Sequence, residues 1–305
     1  MAVFQIGSII RSRREEMGLS QEDLADGICA VPTLSRIENN ERLPTKNHFE
    51  MLMQRLGYNI TSLDFFVDRR DFLIHELKFK IRQAYMDLDF PLAIEYLEQF
   101  KAILKEGTKI DRQFLMLYQT LLEKNQLSAA KKLDLFEQAL QLTSPTYKSG
   151  CIPHVLSYEE IIILNNIAIC NYSCGDTRRA CEILYAIKDY YEHRIVNSEE
   201  ALRTQPMVLY NLSKILGLSG RYDECIEICD LGIRIAKSSG RSTYLGQTLF
   251  NRAWALLQRN SAGDKESAQT NIKHAYAIFT IMDNQKDADV VSKFYRDICS
   301  QELSL

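Results

Sequence analysis

Apolar residues recur at helical spacing along almost the whole chain, in short segments near the N-terminus and longer ones beyond. Ile6, Ile9, Ile10 and Met17 share one face of a first helix, and Gly18 ends it. Ser20 opens the next segment. Asp23, three residues on, completes an S-x-x-D capping box, and Leu24, Ala25 and Ile28 form the apolar side. After a break near Cys29 and Ala30, Pro32 suits the first turn of a third helix through Glu38. That helix stops at Asn39-Asn40, residues that tolerate the left-handed conformation of a C-terminal cap. Pro44-Thr45 starts a fourth segment, with Phe49, Leu52, Met53 and Leu56 at helical spacing, and Gly57 closes it.

From Asp68 onward the period stays helical and repeats. Asn166 and Asn211 each stand nine residues before a glycine, Gly175 and Gly220, and a small residue follows five later, Ala180 and Cys225. A weaker copy has Asn251 nine before Asn260, with Ala268 delayed by three residues. The pattern Asn-x8-Gly-x4-Ala resembles the tetratricopeptide (TPR) repeat. Small residues let the two helices of a unit cross closely, and Gly or Asn supplies the tight turn between them. In the same register, earlier units centre on Ala93 and Ala130, and 285–302, with Val290, Val291, Phe294, Tyr295 and Ile298 on one stripe, forms a final cap. Five helical pairs and a cap fill 68–305. The longest break, 143–157, carries Pro145, Gly150 and Pro153, and a solvent loop is the expectation there rather than a hinge.

Composition sharpens this picture. At 305 residues the chain has room for about two domains of roughly 150 residues. Gly 13 and Pro 6 are well below the usual ~7% and ~5%, which disfavours a turn-rich β-sandwich. With 46% hydrophobic residues and net charge -3, disorder is excluded. The expected fold class is all-α, with an N-terminal five-helix domain over 1–66 and a TPR-like α-solenoid with a C-terminal capping helix over 67–305. No apolar run approaches membrane-spanning length and the N-terminus turns polar early, so a cytoplasmic protein without a membrane partner is expected. The eight cysteines are then reduced and packed as small apolar groups. Cys170/Cys174 and Cys225/Cys229 stand four apart, but they lack a CxxC or a histidine at ligand spacing, and no metal or other cofactor is expected. Nor is an enzyme: there is no P-loop, no GxSxG and no HExxH, and the five histidines are scattered. Residues 1–68 hold seven Lys/Arg against ten Asp/Glu, so overall basicity gives no hint of nucleic acid.

The hint lies in motifs. The stretches GLSQEDLADGI and LSRIENNERLP resemble the helix-turn-helix of phage-repressor-type (Xre-like) DNA-binding domains over about residues 5–60. The turn running into LSRIE is one residue shorter than usual, a feature similar to peptide-responsive regulators of the Rgg/PlcR/PrgX type. By this resemblance Val31, Pro32, Thr33 and Arg36 face bases in the major groove, Arg36 being suited to a bidentate guanine contact. Gln21, Asn39, Asn40, Arg42 and Lys46 fall where such domains hold phosphate, and Arg14 and Glu38 where they carry an ion pair tying the first helix to the third.

A helix-turn-helix followed by a TPR array resembles, over the whole chain, the Rgg/PlcR/PrgX/NprR class of quorum-sensing regulators. The resemblance implies a homodimer that binds a pseudo-palindromic operator in double-stranded DNA, and whose DNA affinity changes when a short signalling peptide enters the concave face. Asn166, Asn211 and Asn251 would form a ladder there, each amide able to pair with a peptide N–H and C=O. Ile169, Tyr210, Lys214, Phe250 and Trp254 flank it, with Lys214 suited to a carboxylate. Two other readings remain: an interaction protein that sequesters a response regulator or another partner, and a phage-type repressor that needs no peptide.

Overall fold

The computed structural model describes residues 6–57, 69–104, 107–123, 127–149, 151–153, 155–192 and 199–299. Among these, all regular structure is helical, and packing groups them into two units, one reaching Cys174 and the other starting at Gly175.

The first unit opens with four helices, α1 (Ile6–Glu16), α2 (Gln21–Ala25), α3 (Val31–Glu38) and α4 (Lys46–Arg55). The capping box at the head of α2 forms, with the Asp23 amide donating to Ser20 Oγ and the Ser20 amide to the Asp23 carboxylate. Asn40 takes the left-handed conformation, at φ 58°, just beyond α3. Ile10, Leu24, Leu34, Ile37, Leu52 and Leu56 close a core between the four helices. The fifth helix expected before residue 66 falls on 58–68, outside the described residues.

Helical pairs follow: α5 (Arg69–Met86) on α6 (Phe90–Ile103), and α7 (Lys109–Leu122) on α8 (Ala129–Gln141), with α9 (Tyr158–Ser173) packed on α8. Ala93 is buried at its crossing, as the repeat pattern requires. Ala130 is not. It lies exposed in the first turn of α8, and Phe136, Ala139 and Leu140 make the buried side instead, so that unit's register differs from the expected one.

The second unit holds α10 (Thr177–Glu192), α11 (Glu199–Leu218), α12 (Tyr222–Ser239), α13 (Leu245–Arg259), α14 (Asp264–Ile281) and α15 (Gln285–Cys299). From α10 to α15 each helix packs on the next, and α11 also packs on α13. Ala180, Cys225 and Ala268 are buried at the crossings. Gly175, Gly220 and Asn260 all turn at positive φ, which is why the pattern places Gly or Asn there.

The segment 143–157 is only in part the solvent loop that its prolines and glycine suggest: Pro145, Thr146 and Cys151 are exposed. Thr143, Ser144, Tyr147, Val155, Leu156 and Ser157 are buried, and a 3-10 helix spans Pro145–Ser149. Val155, together with Ile110 of α7, joins the core of the four N-terminal helices. Packing therefore divides the described residues near 174, whereas the motifs divide the chain near 66.

Candidate nucleic-acid interface and peptide-binding face

Helix α3 presents two different sides. Leu34, Ile37 and Glu38 are buried, while Pro32 and Arg36 are exposed and Val31 and Thr33 half-buried. Ala30, the residue before its first turn, supplies no side-chain cap. The side turned inward is held by an ion pair: Arg14 Nε and Nη2 donate to the two Glu38 carboxylate oxygens at 2.6 and 2.9 Å, and Arg14 Nη1 donates to the Leu19 carbonyl at 2.8 Å. The hydrogen bond to Glu38 outweighs burial and raises the Arg14 pKa above its ordinary value.

The residues expected at phosphate fall into three groups. Asn39 and Arg42 are exposed at the end of α3, where the Arg42 amide donates to the Arg36 carbonyl. Gln21, half-buried, and Asn40, exposed, make hydrogen bonds to other parts of the protein. Gln21 Nε2 donates to Glu38 at 2.7 Å, and the Asn40 amide accepts from the Gly7 N–H at 3.0 Å while donating to Ser8 Oγ at 2.8 Å. Asn40 thus fastens the start of α1 to the end of α3. Lys46 begins α4, and its side chain lies outside the described residues. Gly7, which the sequence pattern passes over, matters in the same place: a Cβ there would stand 1.8 Å from the Ile37 carbonyl oxygen.

On the repeat helices, Asn166 and Ile169 are half-buried on α9 in the first unit. Asn166 Nδ2 donates to the Ile162 carbonyl one turn back, at 2.8 Å. In the second unit Tyr210, Asn211 and Lys214 stand on α11, and Phe250, Asn251 and Trp254 on its neighbour α13. Lys214 is exposed. Asn251 bridges the two helices, its Nδ2 donating to Ser213 Oγ at 3.0 Å and to the Tyr210 carbonyl at 3.4 Å. Trp254 packs edge-on to Tyr222 and over Gly217, where a Cβ would come within 3.2 Å of the indole.

Further groups belong to this face that sequence reasoning assigned elsewhere or missed. Phe294 of α15 meets Phe250 edge to face at 5.1 Å, and Tyr244 stacks on Tyr210 at 5.3 Å. Asp287 accepts from Gln247 at 3.3 Å. Burial, and then the Asp287 charge, raise the Tyr210 pKa. The second unit thus offers an aromatic surface with an ammonium group and amides on it, able to take apolar side chains and backbone groups together.

Among the described residues, no helix is long and apolar enough to cross a membrane, and no cluster of three His, Cys, Asp or Glu side chains could hold a metal ion.

The comparisons with known proteins bear on both surfaces. A helix-turn-helix family profile matches residues 10–63. No curated protein matches the chain in sequence. Among solved structures, PlcR of Bacillus thuringiensis in complex with the peptide PapR7 and DNA is similar, with TM-score 0.61 and 18% identity over 94% of this chain and 98% of its own. ComR from S. thermophilus in complex with DNA and its signalling peptide ComS has TM-score 0.51 and 17% identity, covering 95% and 98%. The apo form of the competence regulator ComR from Streptococcus vestibularis has TM-score 0.54 and 18% identity, covering 97% of each chain. The profile of the RNPP family C-terminal domain matches residues 104–294, well over half the chain, and the chain belongs to the RNPP family.

Proposed function

We propose that this chain is a cytoplasmic transcription regulator, not an enzyme, that binds operator DNA as a homodimer through α3 and answers to a short peptide held on its repeat helices. The observation that carries the reading is the division of α3 into an anchored side and a free one. Leu34, Ile37 and the Arg14–Glu38 pair fix the helix, and Arg36 and Pro32 are left facing outward. In this reading Val31, Pro32, Thr33 and Arg36 meet base edges while Asn39, Arg42 and Lys46 hold phosphate. Gln21 and Asn40, expected beside phosphate as well, also hold the helix in place through their bonds to Glu38, Gly7 and Ser8. Residues 1–66 carry the DNA-reading chemistry and 67–305 the peptide response and dimer contacts. A single module of this kind buries too little surface for tight specific binding, which is the case for two copies on two half-sites.

For the peptide, Tyr210, Asn211, Lys214, Phe250 and Trp254 supply the contacts of the second unit; in the first unit Asn166 and Ile169 on α9 are, taken by themselves, the residues suited to a peptide. The similar structures of PlcR and ComR, each solved with a peptide and DNA, support the pairing of these two ligands. Asn251 is weaker as a ladder member, because its amide hydrogens already join α11 to α13. A peptide changes DNA affinity only if it binds one arrangement of the protein better than another.

The test is a selection from a pool of random-sequence duplexes, followed by anisotropy measurements on the winning duplex with and without a peptide extract of culture medium. A selected palindromic sequence whose affinity shifts about tenfold or more with extract, in the native chain but not in Asn211→Ala, is the expected result. Failure to enrich any sequence would refute DNA reading, and enrichment without a response to extract would leave a peptide-independent repressor.

A further inference from the structure

Among the described residues, the deepest ion pair of the first unit lies where its N-terminal helices meet the helical pairs. Arg55, in the last turn of α4, and Glu160, in the first turn of α9, have side chains only 3% and 1% exposed. Arg55 Nη2 stands 3.5 Å from Glu160 Oε1, donates to the Thr143 carbonyl at 3.0 Å and to Ser144 Oγ at 3.3 Å. Nη1 turns the other way, to the carbonyls of Asp26 and Leu24 at the end of α2. Glu160 accepts from Thr143 Oγ1 and Ser144 Oγ, both at 2.7 Å, and from the Ser157 amide at 2.8 Å. One guanidinium therefore joins the turn that leads into α3 to the 143–160 segment.

Three further contacts surround it. Gly27, at φ 68°, meets the Thr143 carbonyl so closely that a Cβ would sit 2.1 Å from it. Thr146 Oγ1 donates to Asp26 at 2.9 Å, and Ile110 and Val155 complete the apolar core on the same side. Replacing a buried ion pair by apolar side chains is often neutral or stabilising, so its energy alone does not explain it, whereas a planar fork with fixed partners defines an angle.

We propose that Arg55 and Glu160 are positioning residues that fix the angle of α3 on the first unit and thereby restrict the spacing between half-sites that the protein accepts. This rests on the homodimer reading above. Two recognition helices held at fixed angles meet a duplex that turns roughly 35° and advances about 3.4 Å per base pair, so adding or removing one base pair moves a half-site out of reach. If α3 were free to swivel, the spacing would matter little.

The experiment uses the full chain and duplexes carrying the half-sites recovered from a random-sequence pool, with the spacer varied one base pair at a time. The native chain should lose at least tenfold in affinity for each base pair added or removed. Arg55→Met combined with Glu160→Gln should widen the profile, so that neighbouring spacers bind within about threefold, while affinity for one isolated half-site and the dimer mass by light scattering stay as in the native chain. Arg55→Lys keeps the charge but cannot reach Asp26, Thr143 and Glu160 together, and should widen the profile even if the double variant does not fold. Folded, dimeric variants with the native spacer profile would overturn the proposal and leave the dimer reading intact. Recovery of single, unpaired half-sites by a monomeric native chain would overturn the dimer reading itself, and this proposal with it.

Discussion

Asparagine at three corresponding positions does not mean three corresponding roles, and Asn251→Ala against Asn166→Ala measures the difference. Asn251 Nδ2 reaches from α13 to Ser213 Oγ at 3.0 Å and Tyr210 O at 3.4 Å on α11. Ser213 is fully buried and itself donates to the Tyr210 carbonyl at 2.9 Å. Truncation removes one good hydrogen bond and one long one but strands no donor, so the cost is about 1 kcal/mol. For a unit of this size that is a melting shift of roughly 4 °C. Asn166 Nδ2 donates to the Ile162 carbonyl of its own helix, one turn back, at 2.8 Å. Losing it costs a few tenths of a kcal/mol, about what the better helix propensity of Ala returns. The single tryptophan, Trp254, lies on α13 against Gly217 of α11, so its emission reports melting at the junction that Asn251 bridges. Asn251→Ala should lower that midpoint and Asn166→Ala should leave it unchanged, while Asn166→Ala abolishes the peptide response. An unchanged midpoint in Asn251→Ala, or a fall of several degrees in Asn166→Ala, would refute the assignment of one to packing and the other to the ligand.

Three further outcomes follow from the geometry. Glu38→Ala leaves the buried Arg14 guanidinium without its carboxylate and should destabilise the first unit by about 3–5 kcal/mol, seen as an early loss of ellipticity on heating while Trp254 emission is unaffected. Burial alone would raise the Glu160 pKa, but the Arg55 charge, the Ser157 amide and the Thr143 and Ser144 hydroxyls hold it below the ordinary range, and Lys78 and Thr108 do the same for Asp111. The stability these two carboxylates give is therefore complete above their unfolded values, about pH 4.3 and 3.9, and is lost as pH falls through the lower folded values; a urea series at decreasing pH should show this, with a smaller acid effect in Glu160→Gln. Finally, Arg36→Ala should relax sequence preference by roughly 1–3 kcal/mol at one position, whereas Arg42→Ala should weaken all duplexes about equally and reduce the salt slope by about one; equal effects from both would contradict the division of roles.

What could be read from the chain was what is local. The capping box at Ser20, the cap at Asn40 and the turns at Gly175, Gly220 and Asn260 each depend on residues within one turn of each other, and backbone conformation limits which residues serve. The Arg14–Glu38 pair was legible for another reason: it came with the helix-turn-helix resemblance, and its bidentate geometry appears where expected. Ala130 was misplaced because a small residue after a turn satisfies the repeat pattern equally well on the exposed side of a helix, and only the neighbouring helix decides which side is buried. The aromatic partners of the candidate peptide face, Phe294 and Tyr244, were missed for the same reason. Their contacts with Phe250 and Tyr210 cross from one helix or loop to another, and periodicity along one helix carries no information about them.

The segment 143–157 shows how far a reading from composition reaches. Pro145, Gly150 and Pro153 argue for a break in regular structure, and a break is usually placed in solvent because its backbone groups need water. Here the protein supplies those partners. The Thr143 carbonyl accepts from Arg55, and the hydroxyls of Thr143 and Ser144 donate to Glu160, so the start of the irregular stretch is buried with these hydrogen bonds made, while Pro145, Thr146 and Cys151 are exposed. The signal in the sequence was Ser157 with Glu160 three residues on, a capping box that accounts for one carboxylate oxygen and says nothing about the other. Arg55 likewise reads as an ordinary basic residue in the last turn of a helix. Each half of the pair has a sufficient local explanation, and that is why their meeting across more than a hundred residues could not be inferred from either one.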